Sequence, residues 1–432
     1  MYVDSATALR HFSGPVERTF TDEATSAFNP TVDREALKMT SSNGTYAIGR
    51  KGLRLNTADD VAPIIADMNQ VESLTEVIFS GNSIGVEAGR ALADALKGKK
   101  SLEKAIFADM FSTRSREELP LVVDALSEAL QDKEHLHEVN FSDNAFGPAG
   151  ARPLVRLLAN NRNIKVLQLN NNGLGIQGGT MIATALLEAQ EKNIKEGKSS
   201  NLQIFAAGRN RLESKGAELL AKVFAAHNTL KEVRMPQNGI RPDGIQLLVS
   251  GLAACTGLEC LDLQDNAFTD PGSFAFAKAL PFLRNLRILN IGDCLLGTSG
   301  SAAIIKALTP GHTSLEELNL VFDQIDSQGV QLIPDMLANK LRLSSLELNG
   351  NEFDPESSVV QHIKDIFRSH GFNDALKELD EMDFEDEGDE DAEAEDESND
   401  EEDKESGSAA GDAEDDEVDA LAAQLGNKLE IQ

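Results

Sequence analysis

The side chains best placed to act on another molecule are amides and arginines. LQLNNNGLG (167–175) carries Asn170, Asn171 and Asn172 in succession. An amide moves no proton at neutral pH, but it donates and accepts hydrogen bonds together, which suits it to holding another group in place. FSTRSREELP (111–120) presents Arg114 and Arg116, and GRNR (208–211) presents Arg209 and Arg211. Catalytic machinery of other kinds is missing: there is no G-x-x-x-x-G-K-[ST], no H-E-x-x-H and no G-x-S-x-G. His135 and His137 flank Leu136 at an expected helix-to-strand turn, a place for solvation or packing. Cys255, Cys260 and Cys294 make neither a CxxC pair nor a Cys/His cluster of zinc-site spacing. These groups fit a surface that grips another protein, and no metal site is expected.

The elements that position them come from internal repetition. VIFSGNSIG (77–85), VNFSDNAFG (139–147), LQLNNNGLG (167–175), VRMPQNGIR (233–241), LDLQDNAFT (261–269) and LELNGNEFD (346–354) align without gaps. The aligned asparagine or its substitute falls at Asn82, Met110, Asn144, Asn172, Asn210, Asn238, Asn266, Cys294, Asp323 and Asn351. Successive spacings are 28, 34, 28, 38, 28, 28, 28, 29 and 28 residues. That is the period and signature of long leucine-rich repeats. In each unit, alternating leucines read as a strand, and an Ala/Leu-rich run such as GAELLAKVFAAH (216–227) reads as a helix. The expected fold is α/β: a leucine-rich-repeat horseshoe of about 11 long βα units, with its parallel sheet on the concave face. A degenerate unit around 46–55 caps one end, and the helix 359–370 closes the other.

This register separates the three asparagines. Asn172 holds the consensus position, where a short amide satisfies buried backbone groups, so its role is structural. Asn170 and Asn171 precede it and are free for other work. The residues just before the repeat asparagine, Asp143, Asn171, Arg209, Gln237, Asp265 and Asp293, form a polar ledge. A basic zone of Arg114, Arg116, Arg209 and Arg211 is flanked by acids, as a protein-binding surface would be. Two units are longer than the rest. One holds the Arg114 loop, and the other holds QEKNIKEGKSSN (190–201), which reads as a surface loop.

Charge divides the chain again. Its net charge is −32, of which residues 378–419 hold −24 (25 acidic residues against Lys404), leaving −8 elsewhere. The expected boundaries are an N-terminal extension of unknown role (1–43), a repeat domain (44–377) and an acidic, mostly disordered tail (378–432). The tail argues against nucleic acid as a direct ligand. The first 30 residues contain no secretory signal, and no run approaches the ~18 apolar residues of a membrane span, so a soluble intracellular protein without a membrane partner is expected. Near the C-terminus Leu421, Leu425, Leu429 and Ile431 recur at helical spacing, as in an export signal or a short docking helix.

LQLNNNGLG, FADMFSTR, GRNRLE, QNGIRPDGI, LDLQDNAFT, LELNGN and the acidic run together resemble the Ran GTPase-activating proteins of leucine-rich-repeat type, over residues 46–432. The resemblance implies a monomeric activator that binds GTP-loaded Ran, a Ran-binding protein being a candidate third member of the complex. GTP and Mg2+ belong to the partner GTPase, and the activator needs no cofactor or active site of its own. Asn171 matches the family's functional asparagine, which helps hold Ran's own catalytic residues without an arginine finger. Arg114, Arg116 and Asp265 match partner-contact positions, and Arg209 and Arg211 lie in a matching stretch. A cytoplasmic location follows, with perinuclear attachment left open, since residues 1–43 lack the tryptophan-proline-proline signature of plant relatives. The readings that compete are a non-catalytic scaffold like ribonuclease inhibitor, and an acidic histone chaperone; the 28-residue period counts against the second.

Overall fold

A computed structural model of the chain describes residues 44–49 and 52–383. The extension 1–43, the acidic tail from 384 onward and the leucine pattern near the C-terminus lie outside the described residues.

Strands of three residues run from Thr45–Ala47 to Ser345–Glu347, joined in one 11-stranded parallel sheet whose order follows the chain. Register is constant: Val139 pairs with Leu167, and Leu167 with Phe205, so the inward residue of each strand faces its equivalent in the next. Those inward residues are buried (Val139 0%, Leu167 1%, Phe205 1%) while their strand neighbours, the small Ala206 apart, are partly open. This is the period-2 alternation of a half-covered sheet. Helices such as Gly147–Asn160, Glu213–His227 and Pro242–Leu252 return the chain and cover the other face. In Glu213–His227 the buried Ala217, Leu220, Ala221 and Phe224 recur every three or four residues. The protein is a leucine-rich-repeat solenoid.

Neighbouring units are stitched on both faces. On the helix side, donors of one unit satisfy carbonyls left open at the preceding helix end. Lys133 Nζ donates to Leu96 O at 2.7 Å, Asn161 Nδ2 to Leu130 O at 3.1 Å, and Lys340 Nζ to Leu308 O at 2.9 Å. Lys340 is fully buried, and burial pushes its ammonium down to about 8.

The two long units resolve differently. Residues 190–195 extend helix Gly175–Lys195, which corrects the surface-loop expectation for that half of 190–201, while 196–201 form the turn and loop that follow. Glu188 and Lys192 pair across one turn at 2.8 Å, and Lys192 Nζ caps Ala159 O at 2.9 Å, so the polar run continues the helix. The Arg114 segment remains a loop between Ile106 and Glu118. At the far end, residues 375–383 lie along the last strand: Leu346 N donates to Ala375 O at 2.8 Å, Lys377 N to Leu346 O at 3.0 Å, and Asp383 N to Asn351 O at 3.0 Å. The acidic sequence therefore begins as part of the solenoid's cap.

Candidate functional site

At the end of each strand the chain turns through the repeat asparagine. Asn172 is fully buried; its Nδ2 donates to Phe141 O and Leu169 O, both at 3.0 Å. Its Oδ1 accepts from Asn144 N at 2.9 Å, and its own N–H donates to Asn210 Oδ1 at 3.0 Å. The same link passes from Asn210 to Asn238 (3.0 Å) and on to Asn266 (3.2 Å). Asn172 is thus one rung of a ladder that supplies partners to buried backbone groups.

The residue before each rung is treated in the opposite way. Asp109, Asp143, Asn171, Arg209, Gln237, Asp265, Asp293 and Phe322 all take positive φ, between 52° and 62°. Their N–H groups point to the next unit: Asn171 N donates to Gly208 O at 2.8 Å and Arg209 N to Pro236 O at 2.9 Å. With the backbone so committed, the side chain is turned out to a rim along the strand ends. Asn171, Arg209, Asp143 and Asp293 are exposed there, and Asp265 is half-buried. Asparagine and aspartate tolerate this conformation better than most residues, which explains part of the rim's composition. Asn171 is further fixed by Asp143, whose Oδ1 accepts from Asn171 Nδ2 at 3.0 Å. A carboxylate only accepts, so this bond decides which end of the amide faces it.

Asn170, expected to be free, is not. Its Oδ1 accepts from Gly208 N at 2.8 Å, and its N–H donates to Ser142 Oγ at 3.1 Å, so it braces the rim from beneath. Arg114 differs from expectation as well. Only 10% of its side chain is exposed, and Nη2 donates to Ser83 O at 2.7 Å and Leu55 O at 3.3 Å. Its guanidinium points to the two preceding units, away from Asn171, and Glu118 lies 4.0 Å from Nη1. Burial lowers its pKa, and the Glu118 charge opposes that shift. Arg116 on the same loop is exposed, as are Arg209 and Arg211. Gln237 Nε2 donates to Asp265 Oδ2 at 2.7 Å, tying those two rim positions together.

An open depression of about 700 Å³ runs along this rim between Arg211 and Arg241 at one end and Asp265, Asp293 and Leu295 at the other. Among the described residues there is no cluster of His, Cys, Asp and Glu able to hold a metal, and no helix is long and apolar enough to cross a membrane. Burial raises the Cys255 thiol to about 11 and the Cys260 thiol to about 12, which leaves both unreactive. Two rim residues escaped the sequence reading: Leu295 (47% exposed) and Phe322 (45% exposed). The repeat alignment already put Phe322 in Asn171's row, and that was the signal available.

A family model described as Leucine Rich repeat matches residues 133–155, 160–183 and 254–277. Whole-sequence relatives are more specific. The chain is 41% identical over 206 residues to Ran GTPase-activating protein 1 of Xenopus laevis, covering 47% of this chain and 36% of that one. It is 38% identical over 202 residues to Ran GTPase-activating protein 1 of Saccharomyces cerevisiae, covering 46% and 49%. With the Ran GTPase-activating protein of Drosophila melanogaster it shares 40% over 342 residues, covering 78% and 57%. The chain is similar in sequence to the leucine-rich-repeat Ran GTPase-activating proteins. It spans between about a third and just over half the length of these three relatives. The Drosophila match is long enough to take in most of the repeats, so likeness to the Ran GTPase-activating proteins is not confined to one unit.

Proposed function

We propose that this chain binds GTP-loaded Ran along the strand-end rim and accelerates hydrolysis of Ran's GTP. One observation carries the mechanism: Asn171 is an exposed amide whose backbone is bonded to Gly208 and whose side chain is bonded to Asp143. Its position is set before any partner arrives. An amide so held can keep Ran's own catalytic residues in the geometry that orients the attacking water. Preorganisation of this kind lowers the barrier without adding a charge. GTP and Mg2+ stay on Ran, and this chain contributes no cofactor.

Arg114 enters as support. Its guanidinium is spent on Ser83 O and Leu55 O, which argues for holding the loop that carries Arg116 and against a finger inserted beside the nucleotide. Arg116, Arg209, Arg211 and Asp265 supply the docking contacts, as charged groups on a common rim do when they set association rate and register. The activator acts as a monomer in the cytoplasm, with a Ran-binding protein as a further member of the complex. Single-turnover hydrolysis by GTP-loaded Ran, with and without catalytic amounts of this chain, tests the proposal. Acceleration by orders of magnitude is expected, and an unchanged rate would refute it.

A further inference from the structure

Leu295 and Phe322 interrupt the polar rim that holds Asn171, Arg209 and Asp265. Each leaves close to half its surface in water (47% and 45%). Each also has positive φ (55° and 53°), a conformation costly for a bulky side chain. Glycine removes that cost at equivalent places: Gly173 and Gly239 in the row of Leu295, and Gly350 in the row of Phe322. An apolar group kept both strained and wet has no explanation in the core. Gly350 does have one, because a Cβ there would come within 2.1 Å of Phe322 Cδ1. The Phe322 ring therefore lies across the backbone of the next unit.

We propose that Leu295 and Phe322, with Asp265 and Asp293, form a second docking patch on the rim for a lysine- or arginine-bearing segment of the GTPase. The aliphatic stem of the basic residue lies on the Phe322 ring, and its charged end reaches the rim carboxylates. This rests on the reading of the rim as the Ran-binding surface. Charge selects the occupant: Arg211 and Arg241 line the far end of the open depression, but at its Leu295 end the charged groups are Asp265 and Asp293, so there a cation is drawn to the carboxylates and to the ring face. Distance permits one partner to use both regions. Five strand spacings separate Asn171's unit from that of Phe322, about 24 Å at ~4.8 Å each, which fits within a single ~800 Å² footprint.

The test uses Phe322→Gly and Leu295→Gly, each of which removes the apolar group and relieves the positive φ. Melting curves, titration of GTP-loaded Ran and single-turnover hydrolysis at saturation are measured on both variants and the parent. The expected result is a Tm equal to or above the parental value, a Kd raised on the order of tenfold, and a retained saturating rate. A parent that binds with both variants matching its Kd overturns the patch and leaves the rim reading intact. A parent that fails to bind GTP-loaded Ran overturns the rim reading itself, so the two failures are told apart.

Discussion

Asn171 and Asn172 are neighbours of identical chemistry, and one backbone conformation gives them opposite placements, the first on the rim and the second buried. Asn172→Ala removes the donor to Phe141 O and Leu169 O and the acceptor for Asn144 N. Leaving those buried groups unpaired should cost about 1–3 kcal/mol. Thermal denaturation should show the loss, while activity falls only as far as the turn is disturbed. Asp143→Ala should do the reverse: little change in Tm, but a slower saturating rate, because the amide of Asn171 is no longer held. An Asp143→Ala variant as fast as the parent would show that the bond between them is incidental. Arg114→Ala should lower stability by about 1–2 kcal/mol, since Ser83 O and Leu55 O lose their donor. Higher activator concentration should recover much of its rate. The direction of Arg114 was not legible in the chain, because its acceptors lie 31 and 59 residues earlier. The placement of Asn171 on the rim and of Asn172 in the interior, by contrast, was legible, since a repeat register places every side chain of a unit at once. Asn170 was misjudged because its acceptor role depends on Gly208 N, 38 residues later in the neighbouring unit.

At the scale of the element, the asparagine ladder has substituted rungs, and Asp323 among them is titratable. It is fully buried, its Oδ1 accepts from Cys294 N at 2.9 Å, and its Oδ2 has no partner among the described residues. Desolvation raises its pKa well above the ordinary carboxyl value. The folded value therefore lies above the unfolded one of about 3.9. Asp323's contribution to stability is complete below that unfolded value and is lost as pH rises toward the folded one. Asp323→Asn restores the consensus amide and does not titrate, so it should raise Tm at pH 7, with the advantage shrinking toward pH 4. Equal gains at both pH values would contradict a neutral buried carboxyl. The repeat spacing made this position visible. It did not show that 190–195 extends a helix, because ion pairs across one turn and capping of a neighbour are three-dimensional gains that a polar composition conceals.

Over the whole molecule, nearest-neighbour stacking makes the ends critical. Residues 375–383 cover the last strand, and Ala375 is 1% exposed. A chain ending at 383 should melt with the parent, whereas one ending at 372 should melt several degrees lower, at ~2–4 °C per kcal/mol lost. Equal melting of the two would mean that this segment does not cap the sheet. The solenoid exists, on this account, to hold a row of side chains at fixed spacing for one large partner, with a single amide at the reacting centre. Single-turnover GTP hydrolysis on Ran, at saturating Asn171→Ala and with folding confirmed by Tm, tests that claim most directly. The account predicts retained binding to GTP-loaded Ran and a loss of most of the acceleration. Hydrolysis at the parental rate would contradict it.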